Sequence, residues 1–117
     1  MMKLLLVGAG GFIGSVLRYL MAGAVYRLFA HSPLFPFGTL AVNVLGCFAI
    51  GLLNGLAESR SLFSQELRLF VFIGVLGGFT TFSTFGYESF SLLRDGHHFS
   101  FWANIFLHVI LGLLAVW

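Results

Sequence analysis

The sequence predicts an all-α integral membrane fold of four transmembrane helices, the third broken in the middle. Three observations carry that prediction. Of the 117 residues, 59% are hydrophobic and only 9% are charged, with a mean hydropathy of +1.01, whereas a water-facing domain carries roughly 25% charged residues. The few charges punctuate the chain into four apolar segments, each near the roughly 20 residues that a helix needs to cross the hydrocarbon core. Within the third segment, Gly77-Gly78 followed by Thr80-Thr81 makes a poor continuous helix, because Gly costs about 1 kcal/mol there and β-branched Thr is also disfavoured.

The elements run in order within one transmembrane domain, residues 1–117. The first helix is expected over about residues 4–29. Met1-Met2-Lys3 and the apolar run from Leu4 to Leu17 have the outline of a signal peptide. Arg18 and a second apolar run come next without a clear cleavage site, so the start reads as a retained first span. His31-Ser32-Pro33 and Pro36 break the chain. The second helix is expected over residues 38–57 and is closed by Glu58-Ser59-Arg60-Ser61. The third covers 67–93 and is closed by Arg94-Asp95-Gly96-His97-His98. The fourth, 99–117, has Trp102 and Trp117 near its ends, where interfacial aromatics are expected. Gly10 with Gly14, and Gly51 with Gly55, form small-xxx-small pairs that let helices approach closely in lipid.

The charges also bear on orientation. In a four-span layout Lys3, Arg60 and Arg68 share one side, and Arg27 and Arg94, with Arg18, fall toward the other. Orientation by the positive-inside rule needs a clear excess on one side. A chain without one inserts both ways up, which permits an antiparallel dual-topology homodimer.

Several chemistries are excluded. A net charge of +2 argues against a nucleic-acid partner. The single cysteine, Cys47, leaves no disulfide framework and no Cys-type metal site, and reads as a small packing residue. His31, His97, His98 and His108 form no metal spacing, and His97-His98 reads as a solvated loop pair. Val7 to Ser15 carries Gly8, Gly11 and Gly14 in the spacing of a dinucleotide fingerprint. A ribose-binding acid should lie about 20 residues on, yet the first acid is Glu58 and the only lysine is Lys3. The glycines therefore read as a packing face, and no enzyme activity is indicated.

The third segment holds the candidate site. A break at membrane depth frees backbone groups that protein, water or an ion must satisfy, and broken membrane helices often offer carbonyls to a cation. If helix resumes after the break, Thr81, Thr84 and Glu88 form a polar stripe and Phe82 and Phe85 an aromatic stripe beside it. Aromatic edges carry partial positive charge, so a small hard anion can meet ring edges on one side and hydroxyls on the other. Phe at this spacing also suits plain packing, and Thr can bond its own helix, so spacing alone leaves both readings open. In the second segment Thr39, Asn43 and Asn54 lie close to one face; an Asn inside a bilayer needs a partner and serves equally as interhelical glue. Arg18 either snorkels to an interface or lines a wet vestibule that draws anions.

These residues resemble the Fluc (CrcB) fluoride channels of bacteria over essentially the whole chain. The most specific matches are Gly77-Gly78-Phe79-Thr80-Thr81-Phe82-Ser83-Thr84-Phe85 and Gly38-Thr39-Leu40-Ala41-Val42-Asn43; the Gly-rich stretch ending in Arg18, and Glu88, also fit. The resemblance implies a multi-pass protein of the bacterial inner membrane that lets cytoplasmic fluoride leave the cell and so protects it from fluoride toxicity. It implies an antiparallel homodimer with two pores, and a structural Na+ held at the dimer interface by the backbone carbonyls of Gly77 and Thr80 from both chains. Phe82 and Phe85 match the filter phenylalanines, Asn43 the pore asparagine, and Ser83, Thr84 and Glu88 polar pore-side positions, with Arg18 at the vestibule. Gly86 and Gly112 stand where the family usually has serine, and the fourth helix, ending at Trp117, is shorter than is typical.

Two rivals remain. A small multidrug-type cation/proton exporter is also a four-helix, dual-topology dimer, but needs a membrane-embedded acid in its first helix, and segment one has none. A non-transporting subunit of a larger membrane complex would not need a broken helix flanked by Phe and Thr.

Overall fold

The computed structural model describes residues 1–30, 35–60 and 63–117. His31, Ser32 and Pro33, expected to break the chain, and Ser61 lie outside the described residues. The architecture is all-helical: α1 is Met2–Leu28 and α2 is Phe37–Arg60. The rod α3 runs through Gln65–Arg68, Leu69–Leu76 and Gly77–Phe79, and after a break come α4, Phe82–Arg94, and α5, His98–Val116. By length and composition α1, α2, the α3–α4 pair and α5 can each cross a membrane.

Packing is inverted relative to a water-soluble bundle. The buried hydrophobic residues are small in number, among them Val42, Leu76 and Phe79, while Phe12, Ile73 and Phe106 are exposed. Lipid supplies no hydrophobic force between helices, so close backbone approach has to hold them. The α1–α3 contact does this with glycine. A Cβ on Gly10 would lie 2.5 Å from the Phe70 carbonyl oxygen and 2.8 Å from Gly74 Cα, and one on Gly14 would collide with the Val75 carbonyl. Of the second pair, Gly51 lies against the backbone of Val116, but Gly55 faces open space, so only the first pair acts as a pair.

Local signals set the ends of α3 and α4. Ser64 caps α3, its Oγ accepting from Leu67 N–H at 3.2 Å, and so satisfies a donor that the helix start leaves orphaned. The Leu69–Leu76 stretch is wound as a π-helix, with Gly77 N–H reaching back to the Phe72 carbonyl five residues earlier; such wide turns recur at functional sites. At the far end of α4, His97 N–H bonds Leu92 O and Gly96 N–H bonds Leu93 O, with Gly96 at φ +83°. This is a Schellman ending, and the left-handed position selects glycine.

The break falls inside the run that the sequence marks, at its threonine end. Gly77 and Gly78 are helical, with Gly77 at φ −62°, ψ −37°. The chain opens at Thr80 (φ −81°, ψ 160°) and Thr81 (φ −151°, ψ 116°). β-Branched residues suit extended backbone, whereas the glycine is needed for contact: a Cβ on Gly78 would lie 2.7 Å from the Gly11 carbonyl oxygen. Asn54, three turns along α2 from Asn43, is exposed and bonds Glu58 Oε1 at 3.3 Å on its own helix.

Candidate functional site

The two extended residues at the break take their hydrogen bonds from elsewhere. In an unbroken helix Thr81 N–H would return to the Gly77 carbonyl. Here it donates to Asn43 Oδ1 at 2.8 Å, while Asn43 Nδ2 donates to the Thr81 carbonyl at 3.0 Å. One side-chain amide thus satisfies both backbone groups of Thr81, as a neighbouring β-strand would, and releases the Gly77 carbonyl. Thr80 keeps its N–H on Leu76 O at 3.0 Å, and its Oγ1 donates to the same oxygen at 3.2 Å. Its carbonyl turns toward Arg18, whose Nη1 lies at 3.4 Å.

Thr81 also starts the next helix. Its Oγ1 accepts from Thr84 N–H at 3.3 Å and lies 3.0 Å from Thr84 Oγ1, which is an N-cap with its second residue in register. Ser83 Oγ lies 3.5 Å from the same hydroxyl. It is exposed at the first turn and lines neither of the cavities beside Thr81.

Two openings flank Thr81. One is a groove of about 440 Å³, lined by Asn43, Cys47, Gly77, Thr80, Thr81, Phe82, Phe85 and His108 among others. The Phe82 and Phe85 rings lie 5.7 Å apart between centroids, tilted by 46°, and Phe82 is 82% exposed. Gly77 is exposed in the same groove. The other opening, about 430 Å³, is lined by Arg18, Tyr26, Thr39, Thr81, Thr84 and Glu88 among others. There Thr39 Oγ1 donates to Glu88 Oε1 at 2.7 Å and lies 3.5 Å from Tyr26 OH, while Glu88 Oε2 is buried without a partner among the described residues. The polar stripe Thr81, Thr84, Glu88 therefore meets Arg18 in one cavity, and the aromatic stripe meets Asn43 in the other.

Two members were not singled out from sequence. Tyr26 gives no signal in an apolar helix. His108 gives one: it lies in the middle of the fourth span, and Asn43 needs a partner there. Its Nε2 lies 3.2 Å from Asn43 Nδ2 and its Nδ1 3.0 Å from the Asn104 carbonyl. At Gly86 and Gly112, where the resemblance leads one to expect serine, a side chain has room: a Cβ on Gly112 would make an ordinary 3.5 Å contact with Cys47 Sγ, and one on Gly86 would meet nothing within 4 Å.

Chemically, the site offers neutral donors and ring edges around released carbonyls, with two cations, Arg18 and Arg27, and one carboxylate, Glu88, lining the polar cavity. No cluster of His, Cys, Asp or Glu among the described residues suits a transition metal.

The family profile described as "CrcB-like protein, Camphor Resistance (CrcB)" matches residues 5–117. The chain is 52% identical over its full length to the protein named Fluoride-specific ion channel FluC of Geobacter sulfurreducens, covering 93% of it. It is 47% identical over its full length to Fluoride-specific ion channel FluC 1 of Methanosarcina acetivorans, covering 87% of it. Against Fluoride-specific ion channel FluC of Campylobacter jejuni it is 50% identical over 114 residues, which is 97% of this chain and 91% of the relative. With the profile reaching from residue 5 to the last residue and about half of all positions shared across nearly the whole length of each relative, the chain belongs to the CrcB-like family.

Proposed function

We propose that the chain is a fluoride-selective channel of the bacterial inner membrane that releases cytoplasmic fluoride, working as an antiparallel dual-topology homodimer. The observation that carries this reading is the Asn43-held break, which sets the Phe82 and Phe85 rings on one side of Thr81 and the hydroxyls of Thr81 and Thr84 on the other. The names of the relatives support fluoride as the ion. Fluoride is small and strongly hydrated, so a pore must replace its water shell closely. Ring edges, the Asn43 amide and the hydroxyls of Thr81 and Thr84 each bind weakly, on the order of 1 kcal/mol for an aromatic contact. Several weak sites suit conduction, since an ion must leave as readily as it enters. Arg18, half-buried and with no carboxylate in contact among the described residues, draws anions toward the vestibule, and Glu88 lies further along the same cavity.

Dimerisation is supported by the groove: Phe82 and Gly77 are exposed in the single chain, where a second copy would cover them. A structural Na+ fits neutral carbonyl oxygens as donors. Gly77 would hold it with a carbonyl that Thr81 has released, and Thr80 with the lone pair that Arg18 leaves free. Bound there, the ion would supply a fixed positive charge at the interface. The exporter reading fails on α1, which has no acid. Planar-bilayer recording of the purified protein decides the matter: fluoride current with little chloride current is the expected result, and proton-coupled cation transport, or no ion current, would overturn it.

A further inference from the structure

We infer that His108 is a positioning residue of the pathway, acting through Asn43 and Phe85 as a neutral imidazole; the inference rests on the channel reading. Three contacts converge on this ring. Its Nδ1 lies 3.0 Å from the Asn104 carbonyl, four residues back on α5. A carbonyl only accepts, so Nδ1 carries the proton and donates. Nε2 is then an acceptor, and it faces Asn43 Nδ2 at 3.2 Å, which can only donate. The other Nδ2 hydrogen goes to the Thr81 carbonyl at 3.0 Å, and Oδ1 takes Thr81 N–H at 2.8 Å. Every atom of the Asn43 amide is thereby assigned, and a flipped amide would set donor against donor at Thr81 and leave His108 facing an oxygen.

The same ring packs on Phe85, with centroids 4.3 Å apart and a 45° tilt. His108 therefore touches the residue that holds the break and the residue that presents a ring edge beyond it, from a different helix. Asn104 is fully buried and its Nδ2 donates to Ser89 Oγ at 3.0 Å, so the base of this chain is itself tied to α4. Protonating His108 would place an N–H against the Asn43 Nδ2–H, two donors with nothing to accept. Cys47 on α2 is the other titratable side chain lining this groove. No Asp, Glu, Lys or Arg from α2, α3, α4 or α5 lines it among the described residues, so no carboxylate is there to favour the charged ring.

The test compares His108→Leu, which removes both ring nitrogens, with His108→Gln, whose side-chain oxygen can still accept from Asn43. Fluoride efflux from reconstituted vesicles is read at several pH values between about 8 and about 5, the range over which an ordinary histidine titrates. The expected result is efflux lowered on the order of tenfold in His108→Leu, as for loss of one buried hydrogen bond, and largely restored in His108→Gln. Wild-type efflux should fall toward the acid end while His108→Gln stays flat. Equal loss in both variants would make His108 a packing residue and overturn the inference, as would wild-type efflux in His108→Leu. Asn43→Ala separates this from the channel reading: if it abolishes efflux while His108→Leu does not, only the positioning role is lost, and if neither changes efflux, the assignment of the pathway to this break fails.

Discussion

Asn43→Ala tests the central geometry most directly. The substitution removes the acceptor for Thr81 N–H, the donor to the Thr81 carbonyl and the donor to His108 Nε2. Leaving a buried polar group unpaired costs about 1–3 kcal/mol, so the two Thr81 groups together set a loss of about 2–6 kcal/mol if the break persists. The chain has one way to avoid this: Thr81 N–H can return to the Gly77 carbonyl and close the helix. Each residue restored to the helix turns the downstream chain by about 100°, so Phe82, Thr84, Phe85 and Glu88 would leave their present cavities. Either course removes fluoride flux, the first with lowered stability and the second without it. The measurements are fluoride efflux from proteoliposomes and thermal unfolding in detergent, with Asn54→Ala as the control, since among the described residues Asn54 bonds only Glu58, on an exposed face. Asn43→Ala protein that kept both its efflux and its melting temperature would refute the reasoning.

Phe82→Ile and Phe85→Ile should each lower fluoride efflux while the assembled mass is unchanged; Phe85→Ile should also reduce thermal stability, because Phe85 packs on His108. Thr39→Val removes the 2.7 Å donor to Glu88 and should destabilise the protein by about 1–3 kcal/mol, read by the same unfolding assay. Gly10→Leu, in contact with Phe70 and Gly74 backbone, should prevent α1 from seating on α3 and abolish monodisperse elution in size-exclusion chromatography. A tag placed after Trp117 should be labelled from both sides of the membrane, and labelling from one side alone would exclude antiparallel self-pairing.

The four spans are legible in the sequence because apolar length is a strong signal, and the site is legible as a cluster because Thr81, Thr84 and Glu88 repeat at helical spacing. Where within the third helix the break falls is not. Gly and Thr both disfavour helix, so propensity marks the whole run from Gly77 to Thr81. The deciding factor is tertiary: Gly78 is consumed by contact with Gly11, and only Thr81 stands opposite Asn43. Asn54 misleads for the same reason, since helical spacing places it near Asn43's face without saying whether a broken backbone waits there. The role of His108 is hidden because Asn43 and Phe85, which it touches, lie on α2 and α4, and no periodicity within the fourth segment relates them to it.

Thr81 is the wall between the two openings, and this has a physical consequence. Its hydroxyl faces the cavity of Arg18 and Glu88 and caps α4, while its backbone is held by Asn43 from the aromatic groove. A helix break left to itself would fray or close, since the freed groups are costly in lipid. Here each freed group of Thr81 is held by the side chain of a separate, unbroken helix, so the two stripes of α4 are fixed relative to α2 and not merely to each other. Selecting a small anion needs that fixity, because a contact loosened by a few tenths of an ångström no longer replaces a tightly held water. In the proposed pathway Asn43 would act first as the residue that sets its shape, and only second as one more amide along it.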